Sequence, residues 1–238
     1  MVANLRKLYI ICCLLVLIVS ISSCSNLTGN RVNNPKETSD KKELRPQEDV
    51  FQSLSAIKDV MQNKKTFTSN ETNQRIFLKD FHSENYLIVN DKGNYEYTQG
   101  NGKRKQVFNR FCWIDLNGDK SDEILLETES SNIFLLHYEK GVVYGDVLPF
   151  RGMLSLKKDG SFGVSGGAAV QLIGKFRFSN GKCLFEELCC FDASNEKAPI
   201  YRINGNAVNK SSVEACLRRQ EKKENAEWQS YNMNDLLK

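Results

Sequence analysis

Residues that commonly serve acid–base or nucleophilic catalysis are scarce in this chain. Only two of its 238 residues are histidines, at positions 82 and 137. No phosphate-binding loop of the G-x-x-x-x-G-K type and no dinucleotide fingerprint occurs. These absences argue against nucleotide-dependent enzymes and leave few residue pairs that a hydrolase could use.

A large excess of charge of either sign is also missing. The chain has 33 lysines and arginines against 29 aspartates and glutamates. Without Arg6 and Lys7, which lie in the N-terminal segment discussed next, the net charge is about +2. This near-balance argues against nucleic acid as a partner, because such binding needs clustered positive charge.

The apolar run at the N-terminus is too short to cross a bilayer comfortably. It covers residues 8–21, which is 14 residues, whereas a transmembrane helix needs about 20. Arg6 and Lys7 precede it, as in a secretory signal peptide. The run ends in Ile-Ser-Ser-Cys, which resembles a bacterial lipobox. The resemblance implies cleavage before Cys24 and acylation of that cysteine with chains such as palmitate; secretion without lipid and an uncleaved anchor are the alternatives.

We therefore predict three parts along the chain. Residues 1–23 form a signal peptide, residues 24–45 form the lipidated Cys24 and a flexible tether, and residues 46–238 form a single domain. The tether is polar, mixed in charge and almost free of large apolar residues, so it cannot bury enough surface to fold. Each buried CH₂ of the acyl chains adds about 0.8 kcal/mol of membrane affinity, so the lipid is expected to anchor the protein. Because the signal peptide predicts export, the expected location is the extracytoplasmic face of the cell membrane.

The remaining cysteines form no recognisable disulfide framework. Besides two in the apolar run and Cys24, there are five: Cys112, Cys183, Cys189, Cys190 and Cys216. An odd number with a vicinal pair favours buried free thiols, and a single disulfide to Cys216 is the alternative. No C-x-x-C pair occurs, so zinc is not indicated. Alternation in "KCLFEELCCF" predicts that Cys183 and Cys189 share one strand face and Cys190 lies on the other.

Residue patterns predict an α+β domain, mainly an antiparallel β-sheet bracketed by an N-terminal and a C-terminal helix. Helical spacing of apolar residues predicts the first helix over 46–63. A capping box of Ser211 and Glu214 predicts the second helix over 211–225. Between them, short segments rich in aromatic and β-branched residues alternate with turn sequences, of which Asn180-Gly181 favours a type I′ hairpin turn. No internal repeat occurs, which argues against a propeller.

An acidic turn within residues 114–127, "IDLNGDKSDEILLE", is the most unusual feature. Counted from its first aspartate, side chains that contain oxygen stand at positions 1, 3, 5 and 9. A calcium loop takes its ligands from side chains at these positions and from the main-chain carbonyl at position 7. The predicted Ca²⁺ ligands are Asp115, Asn117, Asp119, Ser121 and Glu123. The flanking residues predict strands and position 12 is Leu126, so we expect a strand–loop–strand site of low affinity rather than an EF-hand. An Asn-Gly turn that binds no metal is the alternative.

This turn resembles the D-x-[DN]-G-D-x-x-x-E loops of integrin-type and related bacterial surface β-domains. Lys120 stands where such loops often have a glycine with positive φ. The segments "FQSLSAIKDVMQNKKTF", "DLNGDKSDEILLE", "LLHYEKGVVYGDVLPFRGM" and "CLRRQEKKENAEW" occur in this order. They resemble a lipoprotein family of low-GC Gram-positive gut bacteria that has no assigned activity. The likeness covers most of residues 51–228 and implies a surface location.

Two arrangements weakly suggest a hydrolase. Residues 163–167 match G-x-S-x-G, but that motif works on a strand-to-helix elbow, and the residues that follow predict a strand. A cysteine hydrolase would pair Cys112 or Cys190 with His137, yet both thiols are expected to be buried and therefore poor nucleophiles. His137 is interpreted as an ordinary strand histidine with a satisfied ring nitrogen. No catalytic residue is predicted, although a pocket lined by His137, Arg151 and a carboxylate would change that.

We therefore expect a membrane-anchored, non-catalytic surface module that binds a glycan or protein ligand. The aromatic residues of "NYEY" and "VYGDVLPFRGM" are the expected contacts. An extracytoplasmic hydrolase with an unrecognised active site is the alternative.

Replacing Cys24 with alanine removes the thiol that the lipobox is expected to acylate. The variant should be released from membranes or should retain its uncut signal peptide, because without the acyl chains nothing else in the mature sequence is predicted to hold it there. Membrane fractionation followed by immunoblotting for chain length measures this, with Cys12→Ala as the control. A Cys24→Ala chain of mature length in the membrane fraction would show that the lipoprotein prediction is wrong.

Overall fold

Strands dominate the described part of the chain, which in this computed structural model comprises residues 47–89, 95–105 and 107–236. The predicted signal peptide, Cys24 and the tether lie outside the described residues. The described residues belong to one compact unit. In chain order the elements are α1 (Gln47–Met61), β1 (Phe67–Ser69), β2 (Arg75–Ile76), β3 (His82–Val89), β4 (Tyr95–Lys105), β5 (Phe108–Ile114), β6 (Glu123–Thr128), β7 (Ile133–Glu139), β8 (Val142–Leu148), β9 (Phe162–Gly167), β10 (Val170–Ser179), β11 (Lys182–Asp192), β12 (Ile200–Ile203), β13 (Asn206–Ala207), α2 (Lys210–Glu221), β14 (Gln229–Ser230) and α3 (Met233–Leu236).

Two larger sheets and one hairpin contain these strands. The first sheet has seven strands in the order β14-β5-β6-β7-β8-β1-β2, and the second has five in the order β13-β12-β11-β10-β9. Strands β3 and β4 pair only with each other among the described strands. All pairs are antiparallel except β1 with β8, where Thr68 lies opposite Tyr144. The domain is therefore mainly antiparallel β-sheet with two longer helices.

The inner strands of the first sheet are buried on both faces. In β7, Ile133 and Leu135 face the second sheet, whereas Phe134 and Leu136 face helix α1. This explains why β6 and β7 have continuous apolar runs instead of alternating ones. On the far side of the second sheet, Val213 of α2 packs on Ile173 and Cys189, so the order of layers is helix, sheet, sheet, helix.

Helix α1 packs on the first sheet mainly through its C-terminal half. Ile57, Val60 and Met61 are fully buried, but Val50 and Phe51 near the start of the helix are 40% and 73% exposed. The predicted apolar face is therefore partly uncovered. Among the described helices, none combines the length and the apolar character that crossing a bilayer requires.

Helix α2 begins one residue earlier and ends four residues earlier than the predicted range 211–225, and it has a different cap. The side-chain oxygen of Asn209 accepts a hydrogen bond from the Ser212 N–H at 2.9 Å, and it also accepts one from the Ser211 hydroxyl at 2.8 Å. Asn209, an equally good capping residue, is thus the N-cap in place of Ser211. The helix is followed by β14 and α3.

A β-bulge in β11 reverses the predicted arrangement of the cysteines. Ile173 lies opposite Cys189 and Gly174 lies opposite Glu187, so one residue of β11 is unpaired. The extra residue shifts the alternation of side chains. As a result Cys183 and Cys190 share the core between the sheets, and Cys189 faces α2. All five cysteines of the described part are free thiols.

Candidate cation sites and an adjoining groove

The acidic loop between β5 and β6 is wound around the carboxylate of Asp115. The Gly118 and Asp119 N–H groups donate to Asp115 Oδ1 at 2.7 and 3.2 Å, and the Lys120 N–H donates to Oδ2 at 2.8 Å. Gly118 and Lys120 have φ angles of +82° and +74°. Lys120 therefore adopts the left-handed conformation that glycine takes in similar loops, and the loop closes without that glycine.

The next two predicted ligands extend the same pattern. Asn117 Oδ1 accepts from the Asp119 N–H at 2.9 Å, and Asp119 Oδ1 accepts from the Ser121 N–H at 2.8 Å. The Asn117 amide also donates to Asp119 Oδ2 at 2.9 Å. The side chains at positions 1, 3 and 5 are thus held by the backbone of their own loop. Asp115 Oδ1 already accepts two hydrogen bonds. Asp115 Oδ2, Asn117 Oδ1 and both Asp119 oxygens accept one each, and since such an oxygen has two lone pairs, each of these keeps capacity for a further partner.

Glu123, at position 9, lies beneath the loop. Its side chain is 3% exposed, and its Oε2 accepts from the Leu116 N–H at 2.8 Å. Burial raises the pKa of Glu123 well above its usual range, and the charges of Asp119 and Asp115 raise it further. Burial, with the charge of Asp115, also raises the pKa of Asp122. Within the described part of the chain, none of these four carboxylates forms an ion pair with a lysine or arginine. The loop therefore concentrates carboxylates that no lysine or arginine of the described residues pairs with.

A groove with a volume of about 650 Å³ adjoins the acidic loop. Its walls come from the first turn of α1, the acidic loop, and the turn between β7 and β8. The lining residues are Asp49, Val50, Gln52, Asp119, Ser121, Tyr138, Glu139, Lys140 and Gly141. Two of the predicted calcium ligands, Asp119 and Ser121, therefore face this groove.

Glu139 connects the groove to the hairpin between β10 and β11. The N–H groups of Asn180 and Gly181 donate to its carboxylate at 3.1 and 2.6 Å, and Lys140 Nζ lies 3.4 Å from it. Burial alone would raise the pKa of Glu139, but these partners outweigh burial and lower it. The ionised Glu139 carboxylate thus holds the turn between β10 and β11 in place through these two hydrogen bonds.

A polar cluster is buried between the two sheets, around Asp146 of β8. The Asp146 side chain is 2% exposed. The Tyr97 hydroxyl donates to its Oδ1 at 2.7 Å, and the Asn70 amide and the Cys183 thiol donate to its Oδ2 at 2.9 and 3.1 Å. Acceptance from three donors fits the ionised form of the carboxyl group. Burial raises the pKa of Asp146, and the hydrogen bonds from Tyr97, Cys183 and Asn70 counteract part of this rise.

His137 of β7 lies beside this cluster and is fully buried. Its ring stacks on Phe178 and on Tyr144, with centroid distances of 4.1 and 5.4 Å. Its Nδ1 lies 3.9 Å from Asp146 Oδ2, and neither ring nitrogen has a hydrogen-bond partner among the described residues. Burial lowers the pKa of His137 to about 3, so the ring is neutral at neutral pH. The expectation of a satisfied strand histidine is therefore wrong.

One potential ligand atom each from His137, Asp146 and Cys183 lies within 4.8 Å of the other two. Burial, with the nearby charge of Asp146, raises the pKa of the Cys183 thiol well above its usual range. Sequence reasoning missed this cluster except for His137. The one available clue was an aspartate inside the apolar strand "VVYGDVL", because a lone acid in such a strand is buried with its partners.

The residues considered for a hydrolase are not arranged for catalysis. Ser165 is inside β9, and its hydroxyl donates to the Gly167 carbonyl at 3.1 Å, so it is not on a strand-to-helix elbow. Burial raises the pKa of the Cys112 and Cys190 thiols to about 12 and 11. The cysteine next to His137 is a different one, Cys183, and it is buried. Arg151 is exposed, with its guanidinium over the Phe150 ring at 5.2 Å, whereas His137 is inside the core.

The aromatic residues expected at the surface divide into two groups. Tyr97 of "NYEY" points inward to Asp146, and Tyr144 stacks on His137. Phe150, in contrast, is 59% exposed. Only part of the expected aromatic contact surface is therefore available to a ligand.

No family model, curated protein or solved structure matches this chain. The resemblance to gut lipoproteins therefore stays a prediction. Proposals for the acidic loop, the groove and the buried cluster therefore rest on the geometry and charge of these sites.

The buried Glu123 predicts a pH dependence of stability. Because its folded-state pKa is raised, its contribution is fully present below the unfolded pKa of about 4.3 and is lost as pH rises toward the folded value. Glu123→Gln keeps an acceptor for Leu116 and removes the buried charge. In EDTA, the variant's unfolding free energy should rise relative to wild type as the pH increases above the unfolded pKa of about 4.3 and toward the raised folded value. The gain is about 1.4 kcal/mol for each pH unit that separates the two pKa values.

Urea denaturation across this pH range measures the effect. Glu186→Gln, which removes a half-exposed carboxylate paired with Arg177, is the matched control and should follow the wild-type profile much more closely. If the unfolding free energies of wild type and Glu123→Gln changed in parallel with pH, the raised pKa of Glu123 would be contradicted.

Proposed function

We propose that the protein is a membrane-anchored, non-catalytic module that binds a glycan or protein ligand on the extracytoplasmic surface. The observation that carries this proposal is the groove of about 650 Å³ beside the acidic loop. Concave sites with a few fixed polar groups are the usual location of ligand binding. Val50 on its wall and the neighbouring Phe51 are exposed apolar residues, which a bound partner would cover.

The acidic loop is proposed to hold Ca²⁺ with Asp115, Asn117, Asp119, the Ser121 carbonyl and Glu123. Support comes from the pre-formed loop and from the absence of an offsetting side-chain cation within the described residues. Two carboxylates about 4 Å apart repel by roughly 1 kcal/mol in water, and by several times that near a protein surface. An ion would relieve this repulsion, with a dissociation constant on the order of 10⁻⁴ to 10⁻³ M, as in extracellular modules.

The surface location rests on the lipobox at Cys24 and on the resemblance to gut lipoproteins. A tether of 21 residues after Cys24 has a root-mean-square reach of roughly 25 Å. The groove would then stand off the membrane, where a large ligand can reach it.

Calcium should raise the melting temperature of the purified full-length protein. With a dissociation constant near 0.3 mM, about 5 mM Ca²⁺ adds about 1.7 kcal/mol, a shift of a few degrees. Asp119→Asn should lose most of this shift, because it removes a ligand charge while keeping the side-chain shape. Asp192→Asn, outside the loop, should keep it. Equal melting temperatures of the wild type in EDTA and in Ca²⁺ would contradict the calcium site.

Ligand binding is tested by applying the full-length protein in detergent to panels of glycans and of surface proteins. A specific ligand should be retained by the wild type and lost by Val50→Asp, which places a charge on the groove wall. Val107→Asp is the matched control, since Val107 is comparably exposed at 48% but does not line the groove. Binding that Val50→Asp leaves intact, or no binding on either panel, would contradict the proposal.

A further inference from the structure

The buried cluster contains an imidazole whose hydrogen-bonding groups are not used. His137 is fully enclosed, and neither of its ring nitrogens has a partner among the described residues. A buried polar group without a partner costs about 1–3 kcal/mol. Asp146 Oδ2 is 3.9 Å from His137 Nδ1, which is too far for a hydrogen bond. The ring stacks on Phe178 and is fully buried, so neither nitrogen reaches water in this structure.

The charge of the cluster is also unbalanced. Asp146 accepts hydrogen bonds from Tyr97, Asn70 and Cys183, all of which are neutral groups. No lysine or arginine of the described residues forms an ion pair with it. Isolated buried charges are strongly unfavourable unless they are paired or coordinate a metal.

We propose that His137, Asp146 and Cys183 form a binding site for one Zn²⁺ ion between the two sheets. An imidazole nitrogen, a carboxylate oxygen and a thiolate sulfur are the three ligand types that zinc takes in proteins. This combination is unlike the all-oxygen set of the acidic loop. The two sites therefore select different ions, and the zinc site stands independently of the proposed calcium site and ligand groove.

The separations of the ligand atoms fit the size of a tetrahedral zinc centre. Bonds of about 2.0 Å to nitrogen and oxygen and about 2.3 Å to sulfur place neighbouring ligands roughly 3.3–3.5 Å apart. Asp146 Oδ2 lies 3.1 Å from Cys183 Sγ and 3.9 Å from His137 Nδ1. All three ligand atoms lie within 4.8 Å of one another, so binding requires the His137 and Cys183 side chains to move closer by up to about an ångström.

Proton and charge balance favour the ion. On binding, the Cys183 thiol releases its proton to solvent, and its sulfur becomes a thiolate ligand in place of a donor to Asp146. The thiolate and the Asp146 carboxylate then carry two negative charges, which Zn²⁺ neutralises. His137 coordinates through one neutral nitrogen, so at least one of its unused atoms gains a partner.

Groups around the three ligands are placed as supports for a metal. The Tyr97 hydroxyl donates to Asp146 Oδ1 and the Asn70 amide donates to Oδ2. Hydrogen bonds of this kind orient ligating carboxylates in metal sites. The ligands come from β7, β8 and β11, so the site exists only in the folded chain.

Metal content of the native protein tests the proposal. The full-length chain is produced in zinc-supplemented culture and passed through EDTA, which removes metal from an exposed oxygen loop. Elemental analysis should then find about one zinc per chain. Protein from cobalt-supplemented culture should show a thiolate-to-cobalt charge-transfer band and the visible bands of a tetrahedral site.

Variants assign the ligands. Cys183→Ser should lower metal content at least tenfold and remove the charge-transfer band. Cys190→Ser, which alters another buried thiol of β11 in the same core, should retain both. Wild-type protein without zinc or cobalt would overturn the proposal even if Cys183→Ser failed to fold. Zinc that persists in folded Cys183→Ser, or that is lost in folded Cys190→Ser, would overturn it as well.

Discussion

The hydrogen bonding of the buried Asp146 carboxylate is the constraint on which the inner layers of this fold depend. Its donors come from three other parts of the chain: Tyr97 in β4, Asn70 after β1 and Cys183 in β11. An incompletely bonded charge in the core would cost several kcal/mol, so each donor must keep its place. The Asp146 carboxylate therefore joins the first sheet, the second sheet and the β3–β4 hairpin at one point. Hydrogen bonds are directional, so they fix the relative positions of these elements more strictly than apolar contacts do.

The same network extends to the surface groove. The Asn70 amide that donates to Asp146 also donates to the Gly181 carbonyl at 2.6 Å. The Gly181 N–H in turn donates to Glu139, which lines the groove. Gly181 has a φ of +76°, and a Cβ there would overlap the Tyr144 ring, so this turn requires glycine. The wall of the groove and the buried cluster are thus two ends of one chain of hydrogen bonds.

Features set by neighbouring residues were predictable from the sequence, and features set by distant ones were not. The Asn180-Gly181 turn was predicted from two residues, and both have positive φ in a hairpin that pairs Ser179 with Lys182. The acidic loop likewise follows from its spacing, because its hydrogen bonds join residues two to seven positions apart. In contrast, the bulge in β11 depends on packing against β10, and it reversed the predicted faces of the cysteines. The cluster around Asp146 brings together residues as far apart in the sequence as Asn70 and Cys183. The search for C-x-x-C pairs considers only neighbouring residues and therefore could not predict it.

The central claim is that His137, Asp146 and Cys183 together hold a metal ion between the sheets. Diffraction from a crystal of protein produced with zinc, recorded at the zinc absorption edge, tests this most directly. The account predicts one strong anomalous peak at about 2.0–2.3 Å from a His137 ring nitrogen, an Asp146 oxygen and Cys183 Sγ. A map that has no anomalous peak among these three side chains, with the His137 nitrogens still unpaired, would contradict it.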